Sequence, residues 1–142
     1  MKRITAIILT LVLLFATAIP SLAAVPEVAV PYYANTSHAS VSFVIEDNGA
    51  ASWTITCLGK SSCTGIYAVT YLERQVGSSW VRVDLGNAND EYTYNTTASR
   101  IAQNNKTTLT TPGTYRAVVV FTVYGTQENE TITLWNEHDF GI

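Results

Sequence analysis

The stretch LTTPGTYRAVVVFTVY, Leu109 to Tyr124, joins a Pro-Gly turn to ten residues of β-branched and aromatic character, and its reading decides the fold. In an extended chain Tyr115, Ala117, Val119, Phe121 and Val123 point one way, and Arg116, Val118, Val120, Thr122 and Tyr124 the other. A strand apolar on both parities belongs in the middle of a sheet. Pro112 presets φ for a turn and Gly113 tolerates φ > 0, so the strand begins abruptly and its register is set there.

The segments upstream read as sheet that this strand completes. Val41, Phe43 and Ile45 alternate with Ser42, Val44 and Glu46, then Asp47-Asn48-Gly49 gives a hairpin signal. Ala51, Trp53, Ile55 and Cys57 alternate with Ser52, Thr54, Thr56 and Leu58, a core face carrying Trp53 behind a largely hydroxylated one. Ile66 to Gln75 is attractive on both parities and reads as a second central strand; Val76-Gly77-Ser78-Ser79 turns it into Trp80 to Leu85, a polar edge hairpin. Residues 86–91 form a loop, Tyr92, Tyr94 and Thr96 a short strand, and residues 97–105 carry the weakest pattern, with a brief helical turn expected at Ser99 to Ala102. Thr107 to Thr110 feeds the Pro-Gly turn, and Glu130 to Trp135, with Ile132 and Leu134 inward, is the last strand. Seven or eight short strands without a helical period predict one all-β antiparallel sandwich over residues 38–142.

Leu109, Pro112 and Tyr115 resemble the tyrosine corner of immunoglobulin-like and fibronectin-III-like sandwiches, where a Tyr at the start of strand F bonds back to upstream backbone. A wider pattern is similar to a family of small secreted Gram-positive (Firmicutes-type) bacterial proteins: Pro31-Tyr32-Tyr33, Leu72-Glu73-Arg74-Gln75, Gly77-Ser78-Ser79-Trp80 and Gly113-Thr114-Tyr115-Arg116 ahead of a Val-rich strand. These are turn and core residues, so the resemblance implies a fold and a secreted, extracellular location, and no activity. Cys57 and Cys63 stand outside it.

The first residues agree with that compartment. Lys2 and Arg3 precede an apolar run from Ile4 to Ile19, and Ser21-Leu22-Ala23 places small residues before a cut at Ala24, the pattern of a cleaved signal peptide over residues 1–23. Pro20 and Ser21 interrupt the run before the roughly 20 apolar residues a membrane span needs, so no membrane insertion is expected after processing. Residues 24–37, with Pro26, Pro31, Tyr32 and Tyr33, read as an extended lead-in. Cleavage removes Lys2 and Arg3 from the 8 basic residues, leaving 6 against 11 acidic ones, a net charge of −5 on 119 residues. That is one domain's worth of chain, and its acidic balance argues against nucleic acid as a partner.

Residues that could carry chemistry are few. Cys57 and Cys63 flank Leu58 to Ser62 in a chain read as exported, and a disulfide between them is expected; two free thiols are the alternative. Closing a loop of about seven residues contributes roughly 2 kcal/mol on the chain-entropy model. His38 and His138 lie towards the chain ends, no Gly-x-Ser-x-Gly is present, and the carboxylate pairs Glu46-Asp47, Asp90-Glu91, Glu128/Glu130 and Glu137/Asp139 fall in turns or the tail, where acids are solvated. No enzyme activity and no cofactor are expected. Asp84, Asn87, Asn89, Asp90 and Glu91 crowd oxygens into one loop, a weak candidate for Ca²⁺. Asn35, Asn95, Asn105 and Asn129 each begin an Asn-x-Ser/Thr triplet, read as a chance product of a composition rich in Asn and Thr.

A sheet surface is the sharper candidate. If the long strand buries Tyr115 to Val123 on one parity, Val118, Val120 and Tyr124 face outward, and Tyr67, Val69 and Tyr71 of the neighbouring strand stand beside them. Outward aromatics on a flat sheet suit a protein or glycan partner; the lead-in or a second copy of the chain, making a homo-oligomer, could cover them instead. The expectation is a secreted non-catalytic protein binding a protein or glycan at or outside the cell surface. The alternatives are a stand-alone carbohydrate-binding module and a secreted toxin or bacteriocin-like protein, the last disfavoured by acidic charge, since anionic surfaces attract cations.

Overall fold

The computed structural model describes residues 33–142; the signal-peptide reading of residues 1–23 and the lead-in as far as residue 32 lie outside the described residues. Eight strands follow in order: β1 (Thr36–Ile45), β2 (Ala50–Gly59), β3 (Cys63–Val76), β4 (Ser79–Arg82), β5 (Tyr92–Thr96), β6 (Arg100–Thr108), β7 (Gly113–Gly125) and β8 (Glu130–Phe140), with a 3₁₀ turn at Ala88–Asp90. All pairings are antiparallel. A three-stranded sheet runs β1-β2-β6. A five-stranded sheet runs β4-β3-β7-β8, and β5 also pairs with β3. The two make an immunoglobulin/fibronectin-III-like sandwich.

Burial follows parity. On β7 Tyr115, Ala117, Val119, Phe121 and Val123 are buried, and β2 contributes Ala51, Trp53, Ile55 and Cys57 to the same core. Trp53, 1% exposed, packs its ring 5.9 Å from that of Tyr92. Its indole N–H is not left dry: Nε1 donates to Thr70 Oγ1 at 2.9 Å across the layers, and Thr70 Oγ1 donates to the Val118 carbonyl at 2.7 Å. An orphaned N–H at this depth would cost about 1–3 kcal/mol, so one threonine on β3 makes the buried indole tolerable.

The corner between β6 and β7 is closed as the sequence predicts. Tyr115, 2% exposed, donates from its hydroxyl to the Thr111 carbonyl at 2.5 Å. Leu109, buried, donates its N–H to the Gly49 carbonyl at 2.8 Å, tying the β1–β2 hairpin to this corner. Gly49 is required twice over, by φ +83 and because a Cβ there would lie 2.1 Å from the Leu109 oxygen.

Several boundaries differ from expectation. β6 spans Arg100–Thr108 where a helical turn at Ser99 to Ala102 was anticipated; it pairs with β2 along the whole of its length, and this pairing overrides a weak pattern. β8 runs on past Trp135 to Phe140 because β7 is long enough to pair with all of it. β4 stops at Arg82, and β1 starts at Thr36. That start is held by Glu130: its carboxylate accepts from Ala34 N at 2.9 Å, Asn35 N at 3.2 Å and Thr36 Oγ1 at 2.8 Å. Glu130 is therefore a clamp rather than a solvated turn acid.

The expected disulfide is absent: Cys57 and Cys63 are free thiols. Spacing suggested a stapled loop, but β2 and β3 belong to different sheets, so the chain crosses the sandwich between the two residues. Cys57 points into the core, fully buried, whereas half-buried Cys63 turns its Sγ to the Gly65 carbonyl at 3.5 Å. Burial pushes the Cys57 thiol up from its ordinary 9.0 to about 11, opposed by a hydrogen bond with Thr36.

Candidate functional site

Register assembles the outer face of the five-stranded sheet row by row. Asn95 on β5, Tyr67 on β3, Thr122 on β7 and Thr131 on β8 form one row; Thr93, Val69, Val120 and Thr133 form the next. Tyr71, Val118 and Trp135 follow, and then Arg82 of β4 with Glu73, Arg116 and Glu137. The residues singled out from sequence thus do share one face. Tyr67, Val69, Tyr71 and Val120 are half-buried and Tyr124, at the β3–β7 end opposite Gly65, is 38% exposed. Val118 is the correction. It is only 4% exposed, because its row sets it between Tyr71 and Trp135, so it supports the face from beneath instead of presenting itself.

Sequence reasoning missed the strongest components. Trp135 is 57% exposed in the middle of β8. The Arg82 guanidinium carbon lies 3.4 Å from the Tyr71 ring centroid, and that of Arg116 lies 4.2 Å from the Trp80 centroid and 6.0 Å from that of Trp135. Each arginine is neutralised beside its ring. Arg116 donates from Nε to Glu73 Oε2 at 2.7 Å with its terminal nitrogen 2.6 Å from the same oxygen, and Arg82 meets Glu91 at 3.4 Å. Each stack contributes about 0.5–1 kcal/mol at such exposure. The more important effect is geometric, since planar guanidinium groups hold the rings in fixed orientations across β3, β4, β7 and β8. The only signal in sequence was the outward parity of Arg82, Arg116 and Trp135 on three separate strands.

The remaining candidates sit elsewhere. In the loop proposed for Ca²⁺ the oxygens serve the loop's own backbone: Asp84 Oδ1 accepts from Gly86 N at 2.7 Å, Asp90 Oδ1 from Leu85 N at 3.0 Å and Asn87 Oδ1 from Glu91 N at 3.1 Å. Glu91 faces Arg82, and Asn89 and Asp90 adopt φ of 65° and 53°. Among the described residues, no three His, Cys, Asp or Glu side chains converge as a metal group. His138 packs edge-on against Phe43, centroids 6.3 Å apart, and His38 is exposed on β1. A thiol raised as Cys57 is stays protonated near neutrality, the opposite of an activated nucleophile. Of the Asn-x-Ser/Thr positions, Asn35 and Asn105 are buried. Asn35 Nδ2 donates to the Glu128 carbonyl at 2.9 Å, and Asn105 Oδ1 accepts from the Tyr94 hydroxyl at 2.5 Å.

No family model matches the chain, and neither a curated protein nor a solved structure matches it.

Proposed function

We propose that this is a secreted, non-catalytic β-sandwich protein that binds a protein or glycan at or outside a bacterial cell surface, through the outer face of the five-stranded sheet. The observation that carries this reading is the fixed aromatic array: Trp135 exposed at 57%, with Tyr71 and Trp80 stacked on arginines already neutralised by Glu91 and Glu73. Rings held rigid before binding lose little entropy on contact. Because both cations are paired, the face suits an uncharged partner better than a polyanion. The hydroxyls of Thr122, Thr131 and Thr133 stand in the rows of Tyr67 and Val120, and aromatic planes beside small donors are what sugar rings use, which favours the carbohydrate-binding form of the reading. The signal-peptide pattern and the resemblance to secreted Gram-positive proteins support the compartment.

A glycan array, followed by titration of any hit, tests this. Replacing Tyr71 and Val120 by Ser should leave the fold intact by circular dichroism and abolish binding. Binding that survives the double substitution rejects the face.

A further inference from the structure

A sandwich has four sheet edges to protect, and three of them are blunted. β1 carries a register shift between Thr36 and His38, and its Phe43 N–H donates to Asn136 Oδ1 at 3.2 Å. β6 presents Ala102, Asn104, Lys106 and Thr108, all exposed, on its outward parity. The far edge of the five-stranded sheet is divided between β4 and β5, of 4 and 5 residues. β8 is different: 11 residues without proline or lysine, paired to β7 with no register shift and, among the described residues, in a backbone ladder along one side only, its contacts with β1 running through the side chains of Glu130, Asn136 and His138.

From this contrast we infer that β8 is a docking edge for a second copy of the same chain, pairing antiparallel about a two-fold axis through Trp135. The charge pattern selects that register. With Trp135 opposite Trp135 of the second copy, Glu137 faces Thr133, Asp139 faces Thr131 and His138 faces Ile132, so no like charges meet. Centring on Glu137 instead would set two carboxylates face to face and shorten the ladder. The Trp135-centred register also keeps odd residues on odd, so the outer faces join into one ten-stranded surface and the exposed Trp135 side chains lie side by side on it. One strand per copy buries an area at the low end for specific complexes, of order 1,000 Å², and the dimer dissociates at low concentration accordingly. This inference stands whether or not the same face takes a glycan.

Sedimentation equilibrium of the chain expressed from residue 1, so that any N-terminal processing takes place, should show a reversible dimer over roughly 1–500 μM. Trp135→Asp, which sets two carboxylates opposite each other at an exposed position, should weaken the dimer at least about tenfold with an unchanged near-ultraviolet spectrum outside the indole band. In a Cys63→Ser background, Trp135→Cys should oxidise to a covalent dimer, while Thr133→Cys, which faces Glu137 of the other copy, should not. A monomer throughout that range, an unaltered dimer in Trp135→Asp, or crosslinking at 133 in place of 135 would each overturn the proposal.

Discussion

The two outward faces of the sandwich are built on the same pleat and could hardly differ more in what they display. On the three-stranded sheet the rows read Ser40-Thr56-Ala102, Ser42-Thr54-Asn104 and Val44-Ser52-Lys106, mostly short hydroxylated side chains, with Asn104 Nδ2 donating to Thr54 Oγ1 at 2.8 Å. On the five-stranded sheet the rows carry Tyr67, Tyr71, Trp80 and Trp135, interleaved with Arg82 and Arg116. Shielding water from the core explains neither face, because both cover the same interior. Short hydroxyl side chains satisfy β propensity at little entropic loss and leave nothing to bind with. Rings stacked on guanidinium groups go beyond what folding asks of an outward surface, and that excess is what the proposed binding role rests on.

This contrast presumes that both sheets stand on one cooperative core, and Gly49→Ala should break it most severely. The substitution forces a Cβ-bearing residue to φ +83 and drives that Cβ into the Leu109 oxygen. A loss of about 3 kcal/mol or more in a urea melt is expected from αL strain and the severed Leu109 N–H bond together. Two separate transitions in that melt would mean that the sheets do not share one core.

The inner side of the three-stranded sheet can be probed by pH. The folded Cys57 pKa lies above its ordinary value, so its contribution is fully present below pH 9.0 and is lost as pH rises through about 11, where the unfolded chain has shed a proton that the folded one retains. The wild type should therefore lose about 2–3 kcal/mol more than Cys57→Ala over that interval. Parallel pH curves for the two proteins would show that the thiol is not buried. Ellman titration adds a check, with two thiols expected in guanidinium.

The smallest effect compares the outer faces directly. Arg116→Ala removes a partly buried ion pair and the stack on Trp80 and should cost about 1–2 kcal/mol, whereas Lys106→Ala on the other sheet should fall within about 0.5 kcal/mol of wild type. Equal changes in melting temperature would erase the distinction between the faces.

Much of the architecture was legible because it rests on local alternation. The inward residues of β7, the burial of Trp53, the Asn-Gly hairpin and the Tyr115 corner each announce themselves within a few positions. What escaped depends on partners remote in sequence. Glu130 reads as a turn acid until Ala34, Asn35 and Thr36 arrive from more than 90 residues away. β6 and the end of β8 are edges whose polar residues spoil the alternation, and only the register of β2 and β7 makes them strands. The candidate face was half visible, its tyrosines and valines by parity, its arginine stacks not at all, since Arg116 meets Trp80 and Trp135 from strands on either side of it. Cysteine spacing misled for a related reason: six positions along the chain here means a change of layer.

The divided edge of β3 has a further consequence. β4 pairs with its Glu73 to Val76 and β5 with its Ile66 to Thr70; Val83 still donates to the Leu72 carbonyl at 3.0 Å, and residues 84–91 then leave that border and rejoin it a few positions away. Val83 and Leu85 pack on the core, so it is the exposed tip at residues 86–89 that can lengthen without shifting an inward-facing residue, which makes it the place where relatives of this chain are free to diverge and where a foreign segment could be grafted with the least disturbance.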